Sequence, residues 1–171
     1  KNCRIFLRND SVIVALPSKK IAIEASKIHP KLPYYQIHCI QLSSGEKRWV
    51  SPILLHHATQ YSIGQWKNQE VVVASMIDLS HWKFGQGRKG YLLSPVDGSV
   101  MREFKLPPAI PHQKNQLCDD NFLVTSSTGL KSTVFLFIDP DNGSITREFR
   151  IDQPDHYYAW NGLQYESTEF K

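Results

Sequence analysis

Three stretches of this chain read alike. They are Ile40-Gln41-Leu42-Ser43-Ser44-Gly45-Glu46-Lys47-Arg48-Trp49, then Leu93 to Phe104, then Ile138 to Phe149. Each sets a turn cluster with one glycine between two runs of strand-forming residues. The second and third share Gly-Ser-apolar-x-Arg-Glu-Phe outright, and Gly45, Gly98 and Gly143 lie 53 and 45 residues apart. A period of about 40–50 residues with four strands per unit is the spacing of sheets that pack on copies of themselves. The physical reason is simple: a lone four-stranded sheet cannot bury both of its faces, so the copies must stack.

The rest of the chain agrees with short antiparallel strands. β-branched and aromatic runs of four to eight residues are bounded by Gly, Pro, Asn, Asp and Ser. The expected strands are Arg4–Arg8, Val12–Leu16, Ile21–Ala25, Tyr35–Leu42, Lys47–Ser51, Tyr61–Trp66, Glu70–Asp78, Gly90–Ser94, Ser99–Leu106, Asn121–Ser126, Ser132–Asp139, Ser144–Ile151, Tyr157–Trp160 and Leu163–Thr168. Asn142-Gly143 and Asn161-Gly162 are specific hairpin signals, because such turns need positive φ. Helical periodicity is nowhere sustained: Ile21–Ile28 offers two turns, which Ser26 and His29-Pro30 would stop. Two stretches read as loops, Ser80–Lys89 and the Pro-rich Leu106–Cys118.

The hairpins resemble the repeat of the pyrroloquinoline-quinone-type (quinoprotein-like) β-propeller, roughly apolar-Asp-x-x-x-Gly-x-x-x-Trp. Ile138, Asp139 and Gly143 match its first half, Gly45 and Trp49 its second. Arg102 and Arg147 stand where the tryptophan would be, and Gln41 and Ser94 where the aspartate would be. The resemblance implies that Trp49 locks one blade against the next.

The expected fold is therefore all-β, with antiparallel four-stranded blades forming part of a β-propeller. At about 45 residues per blade, the 171 residues divide into blades 1–55, 56–106 and 107–151 and a C-terminal hairpin 152–171. Closed rings usually have about 4–8 blades. The chain is thus expected to be part of a larger propeller, completed by more of the same polypeptide or by a second chain. The rival architecture is a single β-sandwich or barrel of many strands, which would need no partner.

Charge and cysteine narrow the function. Residues 1–90 carry a net +8 and residues 91–171 a net −4. The basic half suits an anionic partner or the acidic half of the same fold. No run of five basic residues exists, so nucleic-acid binding is not expected. The three cysteines, Cys3, Cys39 and Cys118, are widely spaced and odd in number, which excludes a zinc ribbon and argues against a disulfide framework. No apolar stretch is long enough for a membrane span, and Lys1–Asp10 holds no signal-peptide core.

No catalytic set assembles on paper. His56-His57 would point to opposite faces of a strand and have no third ligand at a metal-binding spacing. Asp139-Pro140-Asp141-Asn142-Gly143 is a hairpin turn rather than a calcium loop, since its glycine comes one residue early and no Glu closes it. Gly85–Gly90 lacks the Gly-Lys-Ser/Thr ending of a phosphate loop and reads as a flexible segment. No Gly-x-Ser-x-Gly elbow occurs. Catalytic residues, metal ligands and cofactors are accordingly assigned to none.

The candidate binding residues are Trp82, Lys83, Phe84, Arg88 and Lys89, an aromatic and basic loop of the kind that anchors protein interfaces. Trp160, Tyr157 and Tyr158 are expected to pack within a blade. The expected function is a non-enzymatic interaction or scaffold module with a protein partner or a second chain. The alternative is a fragment of a quinone- or metal-dependent propeller enzyme whose site needs further blades.

Overall fold

The computed structural model describes residues 4–18, 34–55, 61–77, 88–107, 115–128, 132–152, 159–161 and 164–166. They form three four-stranded sheets and a short ribbon, all antiparallel, with no helix among them. The first sheet holds β1 (Ile5–Arg8), β2 (Ser11–Pro17), β3 (Tyr35–Gln41) and β4 (Lys47–Val50). The second holds β5 (Tyr61–Trp66), β6 (Gln69–Ile77), β7 (Arg88–Leu93) and β8 (Val100–Leu106). The third holds β9 (Asn115–Cys118), β10 (Asn121–Thr128), β11 (Ser132–Ile138) and β12 (Ile145–Asp152). In every sheet, neighbours in sequence are neighbours in space. The ribbon pairs β13 (Ala159–Asn161) with β14 (Gln164–Glu166).

Two expectations are corrected here. The Pro-rich Leu106–Cys118 is not loop to its end, because Asn115–Cys118 forms β9 and pairs with β10. Asp119-Asp120 makes this possible: both residues adopt left-handed φ, 49° and 59°, and close a two-residue hairpin. The Gly85–Gly90 segment is likewise cut short, since Arg88, Lys89 and Gly90 belong to β7. The expected strand Ile21–Ala25 lies outside the described residues.

The three glycine hairpins share one geometry. Gly45, Gly98 and Gly143 have φ of 72°, 73° and 74°. Each glycine N–H donates to the carbonyl four residues back, on Gln41, Ser94 and Asp139, at 2.8–2.9 Å. The N–H of that same residue donates to the carbonyl just after the glycine, on Glu46, Ser99 and Ser144, at 2.9 Å. The ladder slips at the same place in each, at Cys39/Ile40, Leu92/Leu93 and Phe137/Ile138. In the third hairpin the Asp139 carboxylate also accepts from the Asp141 N–H and the Asn142 amide, so the Asp-Pro-Asp-Asn-Gly stretch forms a turn.

The second sheet is the middle layer. Val71, Val72, Val73 and Ala74 are all fully buried, the run expected of a strand covered on both faces. Val72 and Ala74 face the first sheet, in a cluster with Ile13, Ala15, Ile37, Cys39, Trp49, Tyr91 and Leu93. Val71 and Val73 face the third, with Leu92, Phe104, Phe122, Val124 and Ile138. Each fully buried aliphatic side chain contributes about 1.5–3 kcal/mol, so these two seams carry most of the fold's apolar stabilisation.

His38, on β3, is a buried polar group in the first sheet whose Nδ1 has no hydrogen-bond partner among the described residues. Burial holds its imidazole below the ordinary 6.5, and the nearby Lys47 ammonium acts in the same direction. The folded protein therefore keeps His38 neutral while the unfolded chain takes up a proton near pH 6.5. Stability is full above that pH and declines as the pH falls below it. His38→Leu is expected to flatten the fall of Tm between about pH 6.5 and pH 5 relative to the parent protein. Parallel Tm–pH curves for the two proteins would refute this.

Candidate functional site

The sheets are joined by a repeated contact at the glycine corners. Each sheet has a front, toward the next sheet in the chain, and a back, toward the one before. On the front of the first sheet Trp49 is paired across β3–β4 with Cys39 and lies over the Gly98 corner of the second sheet. A Cβ at Gly98 would stand 2.5 Å from the Trp49 ring. The indole Nε1 donates to the Pro95 carbonyl in that corner at 3.1 Å.

The second seam repeats this placement with different chemistry. Arg102 is paired across β7–β8 with Leu92, so it occupies the position of Trp49. Its Nε donates to Asp141 Oδ1 at 3.0 Å, in the Gly143 corner of the third sheet. The guanidinium lies over the Trp66 ring, 5.1 Å from its centre, and the Lys67 ammonium lies 4.8 Å from it. Lys67 also ion-pairs with Asp141. Hydrogen bonds from Lys67 and Arg102 hold the Asp141 carboxyl below the usual carboxylate range. An arginine thus does at this seam, through a carboxylate, what the indole does at the first seam through a carbonyl.

The first strands of the sheets also meet. Arg8 pairs with Glu70 across the first seam. The Tyr61 hydroxyl donates to the Arg4 carbonyl and accepts from the Ala15 N–H, with the Tyr61 ring edge-on to Phe6. At the second seam the Lys67 N–H donates to Asp120 Oδ1, joining the β5–β6 turn to the β9–β10 turn. Gly64 leaves just enough room for Leu117, whose Cβ would lie 3.2 Å from a side chain there.

Two sheet faces carry the same residue types with no described four-stranded sheet against them, and on them Leu123, Val14 and His38 are nonetheless buried. On the back of the first sheet Ile5 and Leu7 are 61% and 73% exposed. Among the described residues a Cβ at Gly45 would meet nothing within 4 Å, so no described side chain sits on this corner as Trp49 sits on Gly98. On the front of the third sheet Phe149 is 49% exposed. Its counterpart Phe104 is buried over Gly90, which has no side chain to displace the ring. Phe135 stands opposite Phe149 where Gly90 stands opposite Phe104, and so denies it that seat. Arg147 holds the position of Trp49 and Arg102, stacked 5.2 Å from the Phe137 ring centre and 5.8 Å from that of Phe149. This chemistry suits the docking of another sheet.

The residues proposed from sequence fall elsewhere. Trp82, Lys83 and Phe84 lie outside the described residues, as do His56, His57, Tyr157 and Tyr158. Arg88 is placed in β7 by its backbone, and Trp160 in β13. Lys89 is half-buried and ion-pairs with Glu103 on the neighbouring strand. Among the described residues, no three His, Cys, Asp or Glu side chains gather as a metal site would require, and no helix is long and apolar enough to cross a membrane. Sequence reading passed over Asp141, Lys67 and Trp66 as seam residues. Only the alternation of charge in Asp139-Pro140-Asp141 and the Trp66-Lys67 pair signalled them, and neither tells which sheet they reach. No protein-family model matches the chain, and no curated protein matches it.

Proposed function

We propose that this chain is a non-enzymatic scaffold module of the β-propeller type, supplying consecutive blades of a ring and binding protein through their faces. The observation that carries this reading is the repeated seam. Trp49 caps the Gly98 corner and Arg102 binds the Gly143 corner, both from the same position of the preceding sheet. One operation applied twice in the same sense is what generates a ring or a solenoid. The Trp49 seam also supports the quinoprotein-like resemblance, in which that residue locks blade to blade.

In this reading β1, β5 and β9 lie near the ring axis and β4, β8 and β12 at its rim. Sheets splayed about an axis are farther apart at the rim than at the centre, whereas a flat stack keeps them equidistant. Spin labels at Asn9 and Asp119 report the inner turns of the first and third sheets, and labels at Glu46 and Ser144 report the corners. The second pair is expected to be farther apart than the first, with labelled chain diluted into unlabelled chain. Equal distances would overturn the propeller. Pyrroloquinoline quinone with calcium is expected to leave Tm unmoved. A saturable rise would replace the scaffold reading with the quinone-enzyme one.

A further inference from the structure

We propose that the ribbon β13–β14 is the opening pair of a fourth sheet and lies on the front of the third, over Leu123. This rests on the propeller reading above and names the segment that covers that face. Two kinds of hairpin alternate along the chain. In the opening hairpins two residues stand between the paired strand ends, Arg8 and Ser11, Trp66 and Gln69, Cys118 and Asn121. In the corner hairpins six residues stand between them, Ile40 and Lys47, Leu93 and Val100, Ile138 and Ile145. The ribbon pairs Asn161 with Gln164, again with two residues between. Its turn is that of an opening pair, and it comes where an opening pair is due. β4 ends at 50 and β5 starts at 61, β8 ends at 106 and β9 starts at 115, β12 ends at 152 and β13 starts at 159.

Burial across the third sheet fits such a cover. The front of the second sheet has a whole sheet against it, and there Val71, Leu92 and Phe104 are all buried, from the inner strands to the outer one. On the front of the third sheet Leu123 on β10 is 3% exposed, Phe137 on β11 is half-buried and Phe149 on β12 is 49% exposed. The cover fades from the inner strands to the rim. A lone opening pair has that footprint, since it supplies two inner strands and no outer ones, whereas a whole sheet would bury Phe149 as it buries Phe104. Register names the contact. At the second seam Leu117, one residue before the end of β9, packs on the cluster that holds Val71, the third residue of β6. Trp160 is one residue before the end of β13, and Leu123 is the third residue of β10. The operation that relates the second and third sheets, applied once more, brings position 160 to Leu123.

Spin labels on the 171-residue chain test this, in a background of Cys3→Ser, Cys39→Ala and Cys118→Ser. Gln69 and Asn121 are the first strand residues after the opening turns of the second and third sheets, and Gln164 holds that place in the ribbon. With labelled chain diluted into unlabelled chain, the pair at Asn121 and Gln164 is expected to give the same narrow distance distribution as the pair at Gln69 and Asn121. A longer or broad distribution would overturn the proposal. Amide exchange gives a second readout that needs no label. Trp160→Asp is expected to speed exchange at Phe122–Val124 by about tenfold, with little change at Val71–Ala74, and Trp160→Leu is expected to keep the parent rates. Circular dichroism confirms that each variant folds. Exchange at Phe122–Val124 that ignores Trp160→Asp would place the ribbon elsewhere and overturn the proposal. Neither failure touches the propeller reading, which the label pairs at Asn9 and Asp119 and at Glu46 and Ser144 decide separately.

Discussion

Replacing Trp49 with alanine is expected to destabilise the fold by about 3–5 kcal/mol, the largest effect of any single change at the seams. Three losses combine. The buried indole leaves the cluster with Ile13, Cys39, Tyr91 and Leu93. The Gly98 corner loses the ring that covers it. The Pro95 carbonyl loses its Nε1–H donor. Trp49→Phe keeps most of the ring contact and gives up the hydrogen bond, so about 1–2 kcal/mol is expected. Urea unfolding of the three proteins measures this. A Trp49→Ala midpoint equal to that of the parent would show that the first seam does not depend on the indole.

The second large effect is at Gly98. Its φ of 73° is left-handed, which costs a residue with a Cβ about 1–2 kcal/mol. The same Cβ would also strike the Trp49 ring, which is rigid and buried, and overpacking of that kind adds about 1–3 kcal/mol. Gly98→Ala is therefore expected to destabilise by about 2–5 kcal/mol. Gly45→Ala carries the same backbone strain, but the space beside Gly45 is open, so only about 1–2 kcal/mol is expected there. The two glycines look identical in the repeat, so the difference between them isolates the collision from the strain. In a Trp49→Ala background the cost at Gly98 should fall to that at Gly45. A cycle with no coupling between residues 49 and 98 would contradict the packing described.

What the sequence revealed, and what it hid, divides along the distance of the interactions. The corner hairpins were readable because their determinants are local. A left-handed glycine, a four-residue turn and flanking β-branched residues all lie within about a dozen positions, and the three copies repeat them. The all-β class followed from the same local signals. β9 escaped because Asn115-Gln116-Leu117-Cys118 offers one aliphatic side chain, directed at Gly64 in another sheet, and follows three prolines. Its strand character comes from pairing with β10 and from two consecutive aspartates in left-handed conformation, which composition does not advertise. The arginine at the tryptophan position reads as a loss in one dimension. In three, Arg102 reaches a carboxylate 39 residues away and shares it with Lys67. Such a partnership depends on how two sheets are set against each other, and no window of sequence contains it. Lys89, one of the candidate binding residues, ion-pairs with Glu103 on the neighbouring strand, a contact that depends on how β7 and β8 are set side by side and that no reading of the loop alone contains.

The meander order of the sheets has a consequence for how the molecule comes apart. Within each four-stranded sheet every strand is bonded to its neighbours in sequence, and the second sheet is packed against the first on one face and the third on the other. The free energy of such an array is close to a sum of unit terms and nearest-neighbour coupling terms. The central unit is coupled on two sides and the terminal units on one. Transient opening therefore begins at the extremities and spreads inward, and the amide hydrogens of Val71–Ala74 are the last to exchange with solvent.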